Sequence, residues 1–115
     1  MKMKASELRI GNFVLNDGDV HQIKHGYDID EAIHQYQPTP LTEEWLLKFG
    51  FYEHYSALQI SILGGNLKIS IAKKTAFITN SDEPLYYLPF PKYVHHLQNL
   101  FFCLCGEELT IKHED

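Results

Sequence analysis

The segment YVHHLQNLFFCLCGEEL, residues 93–109, is the strongest helix candidate in the chain, and the rest of the fold is interpreted around it. Apolar residues recur at helical spacing, and Gly106 can end the helix, so a helix is predicted from near Lys92 to Gly106. Its apolar stripe consists of Val94, Leu97, Leu100, Phe101 and Leu104. This stripe is expected to pack against the apolar face of a sheet.

The opposite face of the same helix is polar and carries the candidate interaction residues. His95, Gln98 and Asn99 cluster there, and Phe102 falls in the same sector. Amide and imidazole groups beside an aromatic ring are typical of a specific, partly polar interface. The same residues can also form an ordinary hydrated helix face.

The clearest strand signal is LQISILGGNLKISIA, residues 58–72. Apolar and polar residues alternate on both sides of Gly64-Gly65-Asn66, which predicts an antiparallel hairpin with one buried face. Further strands are predicted at residues 76–79 and 85–88, the second at a sheet edge because prolines follow it. These segments predict an antiparallel meander.

The N-terminal half is predicted to start with a hairpin, residues 8–15 and 20–24, that resembles the start of a small barrel. Residues 25–37 are interpreted as loop followed by a strand around residues 33–36. A proline-rich connector at residues 37–40 leads to a short helix at residues 43–49.

That short helix has well-defined ends. Thr42 can accept a backbone N–H as the N-cap, Glu44 can pair with Lys48, and Gly50 can adopt the left-handed conformation that ends a helix. The predicted core residues are Phe13, Trp45, Leu46, Phe49, Ile60, Ile62, Ile69, Ile71, Phe77, Leu97, Phe101 and Leu104.

The predicted fold class is α+β: an N-terminal β-hairpin or small-barrel-like region, a short helix, an antiparallel β-meander, and a C-terminal helix packed on the sheet. Residues 1–115 are expected to form a single domain. Within it, an N-terminal lobe covers about residues 5–40, the second part covers residues 41–110, and residues 111–115 are a tail.

Composition limits the function classes. The 115 residues are 44% hydrophobic and carry a formal net charge of −5, which is typical of a globular chain and argues against charge-driven binding to nucleic acid. Lys68, Lys73 and Lys74 with Tyr86 and Tyr87 offer an alternative, a basic aromatic surface for single-stranded nucleic acid. No apolar run has the length that crosses a bilayer, so no membrane contact and a cytoplasmic location are expected.

No catalytic, cofactor or metal site is predicted. His95 and His96 are adjacent on a helix and project about 100° apart, and neither has an acidic residue or cysteine four positions later. Cys103 and Cys105 point in different directions on the same helix and are expected to be reduced, buried thiols rather than nucleophiles.

Three segments resemble a group of short uncharacterised proteins of Bacteroidetes genomes, prophages and mobile elements. They are KASELRIGNFV at residues 4–14, PTPLTEEWLLKFGF at residues 38–51, and residues 92–102 continuing through 106–109. The chain departs from that pattern at His96, Phe101, Cys103 and Cys105, which argues against a shared thiol chemistry. The resemblance implies a small accessory protein of phage or mobile-element origin and no particular activity.

Two functions follow as hypotheses. The preferred one is a non-enzymatic interaction module that contacts a protein partner, or a second copy of itself, through the C-terminal helix. The alternative is a small enzyme or small-ligand binder with a site between the two lobes, where His95, His54 or an aspartate acts as the acid–base group.

Overall fold

The computed structural model describes residues 3–80 and 83–112. These residues form two compact units. The first comprises the described residues of Met1–Leu41 and Lys92–Leu109, and the second those of Thr42–Pro91 and Thr110–Asp115. Helices and antiparallel sheets occur together, so the predicted α+β class with a C-terminal helix is confirmed.

The first unit contains a three-stranded antiparallel sheet. Strands β1 (Phe13–Asn16) and β2 (Asp19–Gln22) form the predicted N-terminal hairpin, and β3 (Gln37–Pro38) pairs with the other edge of β1. The turn between β1 and β2 places Asp17 and Gly18 at positive φ, 51° and 87°. Asp and Gly tolerate this conformation, which is why they are common in such turns.

Helix α1 (Gly26–Gln35) corrects the interpretation of residues 25–37 as loop and strand. Two features explain the helix. Ile29, Ala32, Ile33 and Tyr36 recur at helical spacing and pack into the core of the first unit. At the N-terminus of α1, the Asp28 carboxylate accepts the backbone N–H groups of Lys24 and His25, both at 3.0 Å. Asp28 therefore helps to begin the helix.

A core cluster of the first unit is built from residues between Met3 and Tyr36. The buried apolar side chains around α1 and β1 are Met3, Leu8, Val14, Ile23, Ala32 and Tyr36. A short 3-10 turn, Ala5–Glu7, precedes Leu8 and contacts both α1 and the C-terminal helix. This turn therefore holds the N-terminal residues against the helices of the unit.

Helix α3 (Val94–Cys105) is the predicted C-terminal helix and ends at Gly106 with φ 71°. Val94, Leu97 and Phe101 are buried as expected, whereas Leu100 and Leu104 are half-buried. The helix contacts β1 and the 3-10 turn and belongs to the first unit. The sequence had grouped it with the meander, because periodicity identifies an apolar face but not the surface that covers it.

The second unit contains a five-stranded antiparallel meander in chain order. Its strands are β4 (Tyr52–His54), β5 (Ala57–Ile62), β6 (Leu67–Ile71), β7 (Ala76–Thr79) and β8 (Tyr86–Leu88). The predicted antiparallel hairpin is confirmed, and in its register Ile60 pairs with Ile69 and Ile62 with Leu67. Ser81 and Asp82, between the predicted strands at residues 76–79 and 85–88, lie outside the described residues, as do residues 113–115 of the predicted tail.

The opposite face of this sheet differs from expectation. Gln59 and Ser70 pair across β5 and β6 and are both buried, although the alternation had placed them on an open face. The register puts Tyr52 and Phe77 on either side of them. Aromatic neighbours can cover the polar side chains between them, so the alternation alone could not show that Gln59 and Ser70 are buried.

Helix α2 (Glu43–Lys48) has the predicted ends. The Thr42 hydroxyl accepts the Trp45 backbone N–H at 3.4 Å, and a Glu44 carboxylate oxygen lies 3.5 Å from Lys48 Nζ. Trp45 is half-buried rather than fully inside, and the Lys48 ammonium lies 5.4 Å from its ring centroid. Of the other predicted core residues, Phe13, Phe77 and Leu104 are also half-buried.

In the described part of the chain, no helix combines the length and the apolar character that a membrane-spanning helix requires.

Candidate functional site

A cluster of two histidines and one glutamate lies at the N-terminal end of α3. His95 and His96 occupy the first turn of the helix, and Glu7 ends the 3-10 turn beside them. His95 Nε2 lies 3.7 Å from Glu7 Oε1, and His96 Nε2 lies 3.9 Å from Glu7 Oε2. One ligand-capable atom from each of the three residues lies within 4.8 Å of the other two.

His95 is the most unusual member of this cluster. Its side chain is 0% exposed, and neither ring nitrogen has a hydrogen-bond partner. The 3.7 Å separation from Glu7 is longer than a hydrogen bond. Burial lowers the pKa of His95 from 6.5 to about 4, the nearby His96 acts in the same direction, and Glu7 opposes both. The imidazole is therefore neutral at pH 7, with a lone pair available on one of its two ring nitrogens.

The other two members of the cluster reach solvent. The Glu7 and His96 side chains are part-exposed, at 32% and 35%. Glu7 is fixed in position from two sides: its Oε1 accepts the Lys4 backbone N–H at 3.1 Å, and its backbone carbonyl accepts the Asn99 side-chain N–H at 2.7 Å. The cluster therefore combines one buried, neutral ligand group, His95, with two ligand groups that solvent can reach.

Sequence reasoning missed this cluster for two reasons. The divergence of adjacent helical side chains was taken to exclude a shared ligand site. The His95 and His96 side chains nevertheless place their ring centroids 4.4 Å apart. The carboxylate was sought on the same helix, whereas Glu7 comes from near the other end of the chain. No local pattern signals such a pair, and only the contact between the N-terminal turn and α3 reveals it.

The next turn of α3 binds the N-terminal segment through side-chain amides. Gln98 accepts the Phe13 backbone N–H at 2.9 Å and donates to the Gly11 carbonyl at 2.8 Å. Asn99 Oδ1 accepts from Arg9 at 2.6 Å and from the Asn12 side chain at 3.0 Å. These two residues join β1 and the segment before it to the helix.

Phe102 lies under a guanidinium group. The Arg9 Cζ atom is 4.2 Å from the Phe102 ring centroid, and Phe102 is 40% exposed. Arg9 is held by Asn99 on one side and by an ion pair with Glu108 on the other. The exposed aromatic ring therefore has a cation in a fixed position over it.

The four candidate interaction residues thus do not form one exposed stripe. His95 and Gln98 are buried, Asn99 is half-buried, and Phe102 is exposed. The polar face of α3 is largely used inside the first unit, because the N-terminal residues cover it. A contact with another protein stays a prediction, and Phe102 with Arg9 is the part of the face that can make it.

The cysteines were placed wrongly. Both thiols are free as expected, but Cys103 is exposed and Cys105 is half-buried. They lie near the C-terminal end of α3, beyond the residues that the N-terminal segment covers. Burial raises the pKa of the Cys105 thiol, and Glu107 adds to the rise, so this thiol is a weak nucleophile at neutral pH.

The residues of the two alternative sites, the nucleic-acid surface and the ligand site between the lobes, lie as follows. Tyr86 pairs with Ile78 and Tyr87 with Phe77 in consecutive positions of β8, so their side chains point to opposite faces of the sheet. A single basic surface containing both tyrosines is therefore not formed. His54 belongs to the second unit and His95 to the first, and a ligand site between the lobes stays a prediction.

No family model, curated protein or solved structure matches the chain.

Proposed function

We propose that this chain is a non-enzymatic protein-interaction module of phage or mobile-element origin that contacts its partner through the C-terminal helix. The observation that carries the proposal is the exposed Phe102 ring beneath the Arg9 guanidinium. Aromatic and arginine side chains are enriched among the residues that dominate binding energy in protein interfaces. The contact surface is therefore the Phe102–Arg9 pair.

The fixed geometry of Arg9 supports this assignment. Ordering a long side chain on binding costs conformational entropy, and that cost is smaller when the free protein already holds the side chain in place. Asn99 and Glu108 hold Arg9 in the free chain. A partner that stacks on Phe102 or accepts hydrogen bonds from Arg9 would meet a surface that is already arranged.

Origin and location belong to the same proposal. The likeness of residues 4–14, 38–51, 92–102 and 106–109 to short proteins of Bacteroidetes genomes, prophages and mobile elements supports the origin. The exposed free thiol of Cys103 fits a reducing compartment, since an exposed thiol in an oxidising one is prone to pairing. We accordingly place the protein in the cytoplasm of the host cell.

The test is the Phe102→Asp variant, compared with Tyr27→Asp as the control. Tyr27 is an exposed aromatic residue on α1 of the same unit, so both changes add one charge and remove one exposed ring. Light scattering and capture from host lysate report the assembly of each protein. We expect the natural chain and Tyr27→Asp to form the same oligomer or capture the same protein, and Phe102→Asp to lose at least about tenfold in affinity.

Thermal unfolding of each variant separates contact from folding. A melting temperature of Phe102→Asp close to that of the natural chain, together with lost assembly, supports the proposal. A natural chain that stays monomeric and captures no protein would overturn it, and so would equal assembly by the two variants. Unfolding of Phe102→Asp would show that the ring supports the core instead.

A further inference from the structure

We propose that Glu7, His95 and His96 form a binding site for Zn²⁺, independent of the partner contact proposed above. The three side chains bring two imidazole nitrogens and a carboxylate to one place in the first unit. Two histidines with one glutamate are a recurrent zinc ligand set, in which water or another ligand takes the fourth position.

The buried, unpartnered imidazole of His95 is the first argument. Buried polar atoms in folded proteins almost always have a partner, and one without a partner implies a missing water or ion. Both nitrogens of His95 lack a hydrogen bond while the side chain is fully enclosed. A metal ion on Nε2 gives that nitrogen a ligand bond and explains why an imidazole, rather than an apolar side chain, is enclosed there.

The distances allow a zinc site after the side chains move closer together. Ligand bonds of about 2.0–2.2 Å in a tetrahedral zinc site place neighbouring ligand atoms ~3.4 Å apart. His95 Nε2 lies 3.7 Å from Glu7 Oε1 and His96 Nε2 lies 3.9 Å from Glu7 Oε2, and one ligand atom from each of the three residues lies within 4.8 Å of the other two. The ligand atoms must therefore move closer by amounts that range up to about 1.4 Å. Glu7 and His96 are part-exposed, and rotations of their side chains can supply this movement.

The donor chemistry and local charge select the ion. Imidazole ligands suit zinc and related transition ions, whereas Mg²⁺ and Ca²⁺ prefer oxygen ligands alone. The first turn of a helix carries partial positive charge, which opposes cation binding. The Glu7 carboxylate counteracts that charge, and its backbone carbonyl is anchored by Asn99. The exposed side of the cluster leaves room for a water as the fourth ligand.

The consequence of binding is a bridge within the first unit. Glu7 comes from the 3-10 turn and the histidines come from α3, so a shared ion would hold the N-terminal segment to the helix. Metal that binds only the folded chain raises its stability in proportion to the logarithm of the free metal concentration. We therefore expect Zn²⁺ to stabilise the protein rather than only to attach to it.

The test is titration of the complete, tag-free chain with ZnCl₂ after treatment with a chelator. Calorimetry should give one equivalent of bound Zn²⁺, and the melting temperature should rise by about 10 °C at a hundredfold excess over the dissociation constant. Co²⁺ should give the visible absorption bands of a tetrahedral complex. Mg²⁺ and Ca²⁺ should leave the melting temperature unchanged.

Two variants and a matched control identify the ligands. Glu7→Gln and His96→Ala should each weaken Zn²⁺ binding by at least about tenfold. The control is His34→Ala, because His34 lies 3.8 Å from Asp30 in an exposed histidine–carboxylate pair on α1. The Zn²⁺ affinity of the His34→Ala variant should equal that of the natural chain.

Three outcomes overturn the proposal: no saturable binding, equal binding by Glu7→Gln and the natural chain, or loss of binding in His34→Ala. Glu7 and His96 are part-exposed, so these variants do not depend on replacing the enclosed His95. Phe102→Asp should bind Zn²⁺ normally. Failure of the partner contact and failure of the metal site are thus separate results.

Discussion

The polar face of α3 has two halves that differ in how their enclosed polar atoms are hydrogen-bonded. In the second turn, Gln98 and Asn99 pair both ends of their amides with Phe13, Gly11, Arg9 and other groups of the N-terminal segment. In the first turn, His95 is equally enclosed but has no hydrogen bond at either nitrogen. The same N-terminal segment covers both turns, but its hydrogen bonds reach only the polar side chains of the second turn.

The difference indicates which residues are structural and which call for a ligand. A buried amide with all of its partners inside the chain is accounted for by folding alone. A buried imidazole without partners costs free energy in the isolated chain and recovers it only when something binds. Function on this helix is therefore to be sought at His95 and at the exposed Phe102, not at Gln98.

Gln98→Leu should have the largest effect. The change removes the acceptor of the Phe13 backbone N–H and one of the two side-chain donors to the Gly11 carbonyl, which keeps the Gln22 amide, at a cost of about 2–4 kcal/mol in unfolding free energy. Urea unfolding measures this loss. Gln35→Leu, an exposed glutamine at the end of α1, should change the unfolding free energy by less than about 0.5 kcal/mol. Comparable values for the two variants would refute the structural role of Gln98.

Acidification should lower the stability of the fold mainly through His95, in the first turn of α3. The folded pKa of His95 is about 4 against 6.5 in the unfolded chain, so the unfolded state binds more protons between these values. Stability is then complete above pH 6.5 and falls by about 3 kcal/mol as the pH drops to about 4.

The measurement is urea unfolding at several pH values in the presence of a chelator. The facing charged groups are His96 and Glu7, which oppose each other in their effect on His95. Asp28 acts separately: backbone N–H groups of Lys24 and His25 lower its pKa below 3.8, so its contribution is lost at still lower pH. A flat profile between pH 6.5 and 4 would contradict the burial of a neutral His95.

Local patterns in the sequence predicted the elements whose causes are local. The hairpin of β5 and β6 followed from alternation around Gly64 and Gly65, and α2 followed from its cap and its charge pair. Helix α1 was not predicted, because Asp28, Asp30 and Glu31 separate its few apolar residues, yet the Asp28 carboxylate caps the helix. A charged side chain can stabilise a helix end by contacts that periodicity does not represent.

The candidate site depends on contacts between distant segments, and the sequence could not supply these. His95, Gln98 and Asn99 were identified as one polar face, which is correct as a statement about the helix. Their exposure could not be predicted, because the residues that cover them belong to the N-terminal segment. Glu7 illustrates the limit, since no spacing relates it to the histidines it approaches.

His95→Leu should have the smallest effect and tests the comparison most directly. Leucine has a similar volume and removes two unpartnered nitrogens, so the unfolding free energy at pH 7 without metal should change by less than about 1 kcal/mol or rise. The pH dependence between 6.5 and 4 should flatten in the same variant, and the stabilisation by Zn²⁺ should disappear. A loss as large as that of Gln98→Leu would show that His95 has a structural partner after all, and the two turns of α3 would then be equivalent.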